Sequence, residues 1–371
     1  MRVMFCVYPF PGHLFPIVPT AWAARSAGHE VLLASVSGIT GVGDTLARTG
    51  LPSVDVAEPA AVEAVYEAHL TRLRAGLGPG DNPVTGVLAG WSEVMADGTV
   101  EAARRWRPDL IVHEAAQGAG PVAAAALGIP AVQHLCGFSP SAGGVAEALR
   151  SSLGEVYRRL GVAAVPPASG IDVVPPSMTR VPEMLHVRYV PYGAGGGVPI
   201  ELLERPARPR IAITLGTTTP KFLGTEPLRG VLDAAARLDA DLMVALGGLD
   251  PDLLGPLPPN VRTVGWLPLH TLLAGCTALV HQGGVGTTLS ALAMGVPQLI
   301  MPTDFDHFIN ADAVVERGLG LRAAVDEVNA DRLTALAEDP ALAKAAAEVR
   351  NEIEAQPAPV DVITRLAGSA R

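Results

Sequence analysis

Charge is thin in this chain of 371 residues, and aromatic side chains are thinner: 17% of residues are charged and 4% are aromatic. Packing must then fall to small aliphatic side chains. Apolar residues reach 49%, enough in a chain of this length for two domains with their own cores. An excess of positive charge is also missing. The formal net charge of −10 disfavours non-specific nucleic-acid binding and anionic membrane surfaces. Cysteine is limited to Cys6, Cys136 and Cys276, each in an apolar segment and none in a CxxC or metal-ligand spacing. That excludes a disulfide framework and points to free thiols in a reducing, cytoplasmic setting. No signal peptide is visible, because the apolar run Arg2–Val7 is short and ends at Tyr8-Pro9. The uncharged stretches 115–146 and 263–303 are interrupted by proline and glycine and carry Gln, His, Ser and Thr. They read as buried strand–helix units rather than membrane spans, so no stable membrane association is expected.

What is present is a repeated grammar of strand, loop and helix. Val3–Val7 is an apolar run, Pro9–Pro16 a Pro/Gly loop containing His13, Ile17–Ala27 a helix, and Val31–Ala34 a second strand. Such βαβ units build parallel sheets with helices on both faces. A weak internal repeat extends the pattern. Asp109–Gly120 (DLIVHEAAQGAG), an alanine-rich helix and Leu127–Pro130 (LGIP) match Ala278–Gly286 (ALVHQGGVG), a helix and Met294–Pro297 (MGVP). Two βαβ units share turn chemistry in any case, yet one such unit in each half is also what twin Rossmann-like domains would give.

The division between halves is expected near 186–210. Tyr192–Pro199 reads as a flexible glycine-rich segment and Arg205–Pro209 as a stiff turn. A fresh strand, Arg210–Leu215, then ends in Gly216-Thr217, and further strands are expected at 242–246, 261–264, 278 and 298. The domains so predicted are 1–195, a linker 196–209, 210–355, and a last helix in 356–371 crossing back to the first domain. Ligands on sheets of this kind bind beyond the carboxyl ends of the strands. Loops at His13, Glu114, Gly216, Trp266, Gly283 and Asp304 all follow strands, so all are expected at one cleft.

The densest motif is His281–Thr288 (HQGGVGTT), between an apolar strand and the start of a helix. Glycines permit close approach of a ligand to the main chain, and the amides and positive end of the helix favour an anion. A P-loop is excluded, since no lysine follows the glycines. Read from the residues alone, His13 is a general base or a loop histidine bonded to backbone. Glu114 is a histidine partner or a carboxylate satisfying helix amides. Thr217 is a ligand contact or an N-cap, and Trp266 a stacking surface or a core side chain. Asp250-Pro-Asp252 superficially has a metal-motif spacing, but its Gly/Pro-rich setting reads as a turn.

These landmarks, in order, resemble a known family. They are Gly12–Pro16 (GHLFP), Arg107–Leu110 (RPDL), Arg188–Tyr192 (RYVPY), Ile213–Thr217 (ITLGT), Val264–His270 (VGWLPLH), the His281–Thr287 turn, Gly295–Gln298 (GVPQ), and Pro302 followed by Asp306. The chain resembles GT-B-fold type-1 glycosyltransferases, most of all the actinomycete enzymes that attach deoxysugars to polyketide, enediyne or macrolide antibiotics.

The resemblance implies an α/β protein of two Rossmann-like domains facing a cleft. It implies an inverting glycosyltransferase with a nucleoside diphosphate sugar, expected to be a TDP-deoxysugar, as donor and a hydrophobic small molecule as acceptor. His13 would be the base and Glu114 its partner. Phe10, Gly12 and Phe138 would face the acceptor. Gly216, Thr217, Trp266, Leu267, His281, Gly283, Gly284, Gly286, Thr287, Asp306 and His307 would hold the donor. Trp266 and Leu267 would take the nucleobase, and His281 would donate to a phosphate oxygen. His307 stands where the family commonly has glutamine, which suggests a donor with altered or missing hydroxyls. No metal or other cofactor and no nucleic acid are implied; a homodimer is the oligomer to look for. The competing readings are a non-catalytic nucleotide-sugar-binding protein, a nucleotide-sugar epimerase of the same fold, and a glycosyltransferase acting on a lipid intermediate.

Overall fold

A computed structural model of the chain describes residues 1–39, 45–75, 83–138, 144–163, 169–204, 206–217, 219–220, 224–303 and 305–369. Arg205 and Asp304, named above, lie outside the described residues. The chain forms two compact units. One comprises Met1–Val173, Arg180–Val187 and Pro357–Arg371; the other comprises Val174–Thr179 and Arg188–Gln356. The division thus falls at Val187/Arg188, inside the expected 186–210 stretch and ahead of the domain limit drawn at 195.

The first unit is built on a seven-stranded sheet in the order β3-β2-β1-β4-β5-β6-β7. Its strands are β1 (Arg2–Cys6), β2 (Glu30–Ser35), β3 (Ser53–Asp55), β4 (Leu110–Glu114), β5 (Ala131–His134), β6 (Ser169–Asp172) and β7 (Leu185–His186). Every pairing is parallel. The residues of β4 are all buried, as a central parallel strand covered on both faces must be. Helices Pro59–Ala75 and Pro83–Trp106 cover one face together with Ala119–Leu127. The closing helix Pro359–Ser369 packs on Val18–Ser26. The Pro9–Pro16 loop contains a helical turn, Pro11–Leu14, where only loop was expected. Pro11 sits at its first position, where a missing N–H costs nothing.

The second unit carries a six-stranded sheet, order β10-β9-β8-β11-β12-β13, again wholly parallel. Its strands are β8 (Arg210–Thr214), β9 (Asp241–Ala245), β10 (Val261–Val264), β11 (Ala278–His281), β12 (Gln298–Ile300) and β13 (Gly320–Arg322). In both sheets the chain begins at a central strand, winds outward, then returns to that strand's other side. The order therefore reverses between β1 and β4 and between β8 and β11, which makes the crevice beyond those strand ends the natural ligand position in each unit. The internal repeat maps onto these places. β4–helix–β5 and β11–helix–β12 occupy corresponding positions, and their helices stop at Gly128 and Gly295, both left-handed with φ of 64° and 66°.

Candidate active site

In the first unit, the loop leaving β1 carries His13 and the end of β4 carries Glu114. The strands are adjacent, with Cys6 paired to His113, so the two side chains start from neighbouring strand ends. His13 Nδ1 lies 2.5 Å from Glu114 Oε1. The imidazole keeps 31% of its side-chain surface exposed and the carboxylate 2%, so one ring edge reaches solvent while the acid stays desolvated. A carboxylate on Nδ1 fixes the tautomer and leaves Nε2 as the nitrogen that can take a proton. Glu114 Oε2 is buried and has no hydrogen-bond partner among the described residues. His113 takes no part in this pair. Its Nδ1–H donates to the Glu114 carbonyl at 3.0 Å, and burial pushes its pKa down to about 4, the hydrogen bond opposing.

The scarce aromatic residues gather around His13. Tyr8 and Phe10 meet its ring at centroid distances of 5.4 and 6.3 Å, and Trp91 packs on Phe10 at 4.7 Å and on Tyr66 at 6.0 Å. Tyr8, Tyr66 and Trp91 were not anticipated. Tyr8 and Phe10 touch the histidine, Trp91 packs on both, and Tyr66 on Trp91, a chain of contacts that only the folded structure assembles. Gly12 is exposed on the helical turn, and a Cβ there would meet nothing within 4 Å. Phe138, half-buried, follows Cys136, whose thiol donates to the His13 carbonyl at 3.3 Å.

In the second unit, β11 ends at His281 and the chain turns through Gly283 into the helix Val285–Met294. Gly283 has φ of +104°, and a Cβ there would lie 2.9 Å from Ile300 Cγ2 and 3.0 Å from His307 Cβ, so both backbone and space demand glycine. Gly284 is the N-cap and has no side chain to offer, so the first helical amides face outward beyond the strand. Gly284, Gly286 and Thr287 are half-buried, which leaves these amides and the Thr287 hydroxyl reachable. This is the geometry of an anion site.

His281 is placed otherwise than expected. Its Nε2–H donates to Gln298 Oε1 at 2.9 Å, its Nδ1 accepts the Gly283 amide at 3.1 Å, and the ring is wholly buried. Both nitrogens are spent inside the protein, so the ring as held has no N–H to give a phosphate. Burial pushes its pKa down to about 3, with the Gln298 hydrogen bond acting against that shift. The histidine shapes the turn, and the turn presents the amides. Asn310 supports the same turn, donating to the Gly283 carbonyl at 2.7 Å. Gln298 and Asn310 were missed. Their signal was polar side chains at positions otherwise patterned for core.

The remaining donor-side candidates surround this turn. Gly216 follows β8 with φ of +69°, and a Cβ there would lie 2.4 Å from Gln282 Nε2. Thr217 is half-buried beside Gly247. Asp306 stands exposed in the first turn of the helix Phe305–Glu316; His307 is buried with Nδ1 3.2 Å from the Thr303 hydroxyl, leaving Nε2 as its other polar atom. Trp266 donates its indole N–H to the Gly193 carbonyl at 3.1 Å, and Leu267 packs in the adjacent core. The Tyr192–Pro199 stretch therefore differs from the flexible segment expected. A Cβ on Gly193 would lie 2.7 Å from Pro268 Cα and one on Gly196 3.1 Å from the Trp266 carbonyl, so these glycines serve close packing. Asp250 accepts the Asp252 amide at 3.0 Å and caps a short turn, as its setting suggested. Among the described residues, no group of three or more His, Cys, Asp or Glu is arranged to hold a metal, and no helix is long and apolar enough to cross a membrane.

Twin parallel sheets, with chemistry at the switch point of each, are the architecture of a GT-B-fold glycosyltransferase, and solved structures agree. SnogD, a glycosyltransferase from Streptomyces nogalater, superposes with a TM-score of 0.85 at 36% identity, covering 100% of this chain and 99% of that one. The spinosyn rhamnosyltransferase SpnG complexed with thymidine diphosphate gives 0.84 at 28% identity, covering 99% and 100%. The elloramycin glycosyltransferase ElmGT of Streptomyces olivaceus is 42% identical over 99% of this chain and 97% of its own length. The chain belongs to the Erythromycin biosynthesis protein CIII-like family, whose N-terminal domain matches residues 22–216 and whose C-terminal domain matches residues 229–368. It is a glycosyltransferase.

Proposed function

We propose that the protein is an inverting glycosyltransferase that moves a deoxysugar from thymidine diphosphate to a hydroxyl of an apolar natural-product aglycone in antibiotic biosynthesis. The observation that carries this reading is the His13–Glu114 pair, with Nδ1 2.5 Å from the buried carboxylate. The acceptor oxygen attacks the anomeric carbon and gives its proton to His13 Nε2. The bond from that carbon to the diphosphate breaks, and its electron pair leaves on the phosphate oxygen. Glu114 stabilises the imidazolium that forms. A placed base of this kind contributes about 10²–10⁴-fold. The amides of Val285, Gly286 and Thr287, the Thr287 hydroxyl and a helix end worth roughly half a positive charge receive the departing diphosphate. Donor chemistry thus falls to the second unit and acceptor chemistry to the first, where Phe10 stands beside His13.

Thymidine diphosphate as the donor nucleotide is supported by its presence in the SpnG complex. An apolar aglycone is supported by the SpnG structure complexed with spinosyn aglycone and by Tyr8 and Phe10 beside His13. The test is His13→Ala assayed with TDP-deoxysugar donors. Turnover should fall by about 10²-fold or more, while thermal stabilisation by TDP, and its preference over UDP, stays as in the unaltered protein. Unchanged turnover in that variant would sink the mechanism. EDTA should leave the rate unaltered.

A further inference from the structure

Tyr8 follows β1, and its ring meets the His13 imidazole at 88° with centroids 5.4 Å apart. Its fully buried hydroxyl lies 2.7 Å from Ser92 Oγ, 2.8 Å from the Leu88 carbonyl oxygen and 3.0 Å from the Ala116 carbonyl oxygen. Ser92 Oγ in turn accepts the Gly118 amide at 2.8 Å. A phenylalanine would fill the same space without burying a hydroxyl, and a buried hydroxyl is costly unless bonded. What this one joins is informative. Ala116 and Gly118 belong to the turn that leaves β4 just after Glu114; Tyr8 begins the loop that leads from β1 to His13; Ser92 holds both to the helix Pro83–Trp106. The hydroxyl therefore bridges the two segments whose relative placement sets the His13–Glu114 contact. Burial pushes the Tyr8 phenol well above its ordinary pKa, the Ser92 hydrogen bond opposing, so it serves as a neutral strut.

We propose that Tyr8 is a positioning residue: its hydroxyl, tied to Ser92 and Ala116, locks the His13 loop against the Glu114 turn and keeps Nδ1 on the carboxylate. The catalytic consequence rests on His13 being the base; the geometric claim does not. The experiment compares Tyr8→Phe and Ser92→Ala in the full chain, with imidazole nitrogens labelled so that the His13 Nδ1–H proton, shifted far downfield by its short hydrogen bond, is observed by NMR. In Tyr8→Phe that resonance should broaden or vanish, and kcat should fall about 10–100-fold with donor KM unchanged, since small misplacements of a reacting group are costly. Ser92→Ala should act in the same direction, and the double variant should be no worse than Tyr8→Phe, because both break one link. A Tyr8→Phe protein that keeps the resonance and kcat and loses only thermal stability would make Tyr8 a packing residue and overturn the proposal. Should Tyr8→Phe fail to fold, a downfield resonance that persists unchanged in Ser92→Ala overturns it equally. If His13→Ala retains turnover while Tyr8→Phe loses the resonance, the base reading fails and the positioning claim stands.

Discussion

His13, in the helical turn after β1, and His281, the last residue of β11, both lie near the switch point of their own sheet, yet the two sites use the imidazole in opposite ways. His13 gives one nitrogen to a buried carboxylate and keeps part of its ring at the surface. His281 gives both nitrogens to uncharged partners and is sealed in. A desolvated carboxylate prepares a histidine to accept a proton; an amide oxygen and a backbone N–H hold one neutral. One neighbour, acid or amide, therefore decides whether a histidine near the switch point offers chemistry or architecture.

Exchanging the two losses is the strongest way to break this comparison. His13→Ala should remove turnover; it also strips the buried Glu114 carboxylate of its imidazole, so it should cost about 1–3 kcal/mol of stability, with TDP binding retained. His281→Ala strips buried partners from Gln298 and the Gly283 amide, and should cost about 1–3 kcal/mol for each group left unsatisfied, measured by urea unfolding. If His281→Ala is as stable as the unaltered protein, the scaffold assignment is wrong. Next in size is Gly283→Ala. Its φ of +104° and a 2.9 Å approach to Ile300 should cost roughly 1–3 kcal/mol and weaken TDP binding, while acceptor binding is retained.

Acid should also separate the sites. His281, His113 and His134 are buried neutral, with pKa values driven by desolvation to about 3, 4 and 4 from an ordinary 6.5. Between the depressed and ordinary values the unfolded chain binds protons that the folded chain refuses, so their contribution is complete above about 6.5 and is lost as pH falls toward 4. Each group costs about 1.4 kcal/mol per pH unit in that window. Urea midpoints at pH 7 and pH 5 should show the drop, and His281→Gln should shrink it; an identical drop in that variant would contradict a neutral His281. The smallest effect belongs to Gly12→Ala. Open space around its Cβ predicts an unchanged melting temperature, with any effect confined to acceptor KM.

Much of this was legible in the chain. Apolar runs of strand length marked β1, β4, β8, β10 and β11 to within a few residues, because parallel strands buried on both faces are continuous hydrophobic runs. The strand–His–glycine repeat marked corresponding units in the two sheets. Ordered motifs named His13 and Glu114, which the structure brings into contact. Less legible was anything that depended on where a side chain turns. Gly193 and Gly196 have the composition of a flexible segment, and only the Trp266–Pro268 loop lying against them makes them packing residues. Gln298 and Asn310 look incidental until His281 and Gly283 are placed beside them.

By itself the sequence determined the local alphabet: where strands run, where glycine must admit a positive φ, and which residues can accept or donate a proton. Those follow from period, propensity and chemistry within a few residues of each other. Only the tertiary structure decided which histidine faces an acid and which faces an amide, because that choice is made between segments about a hundred residues apart, as with His13 and Glu114, by sheet order and burial.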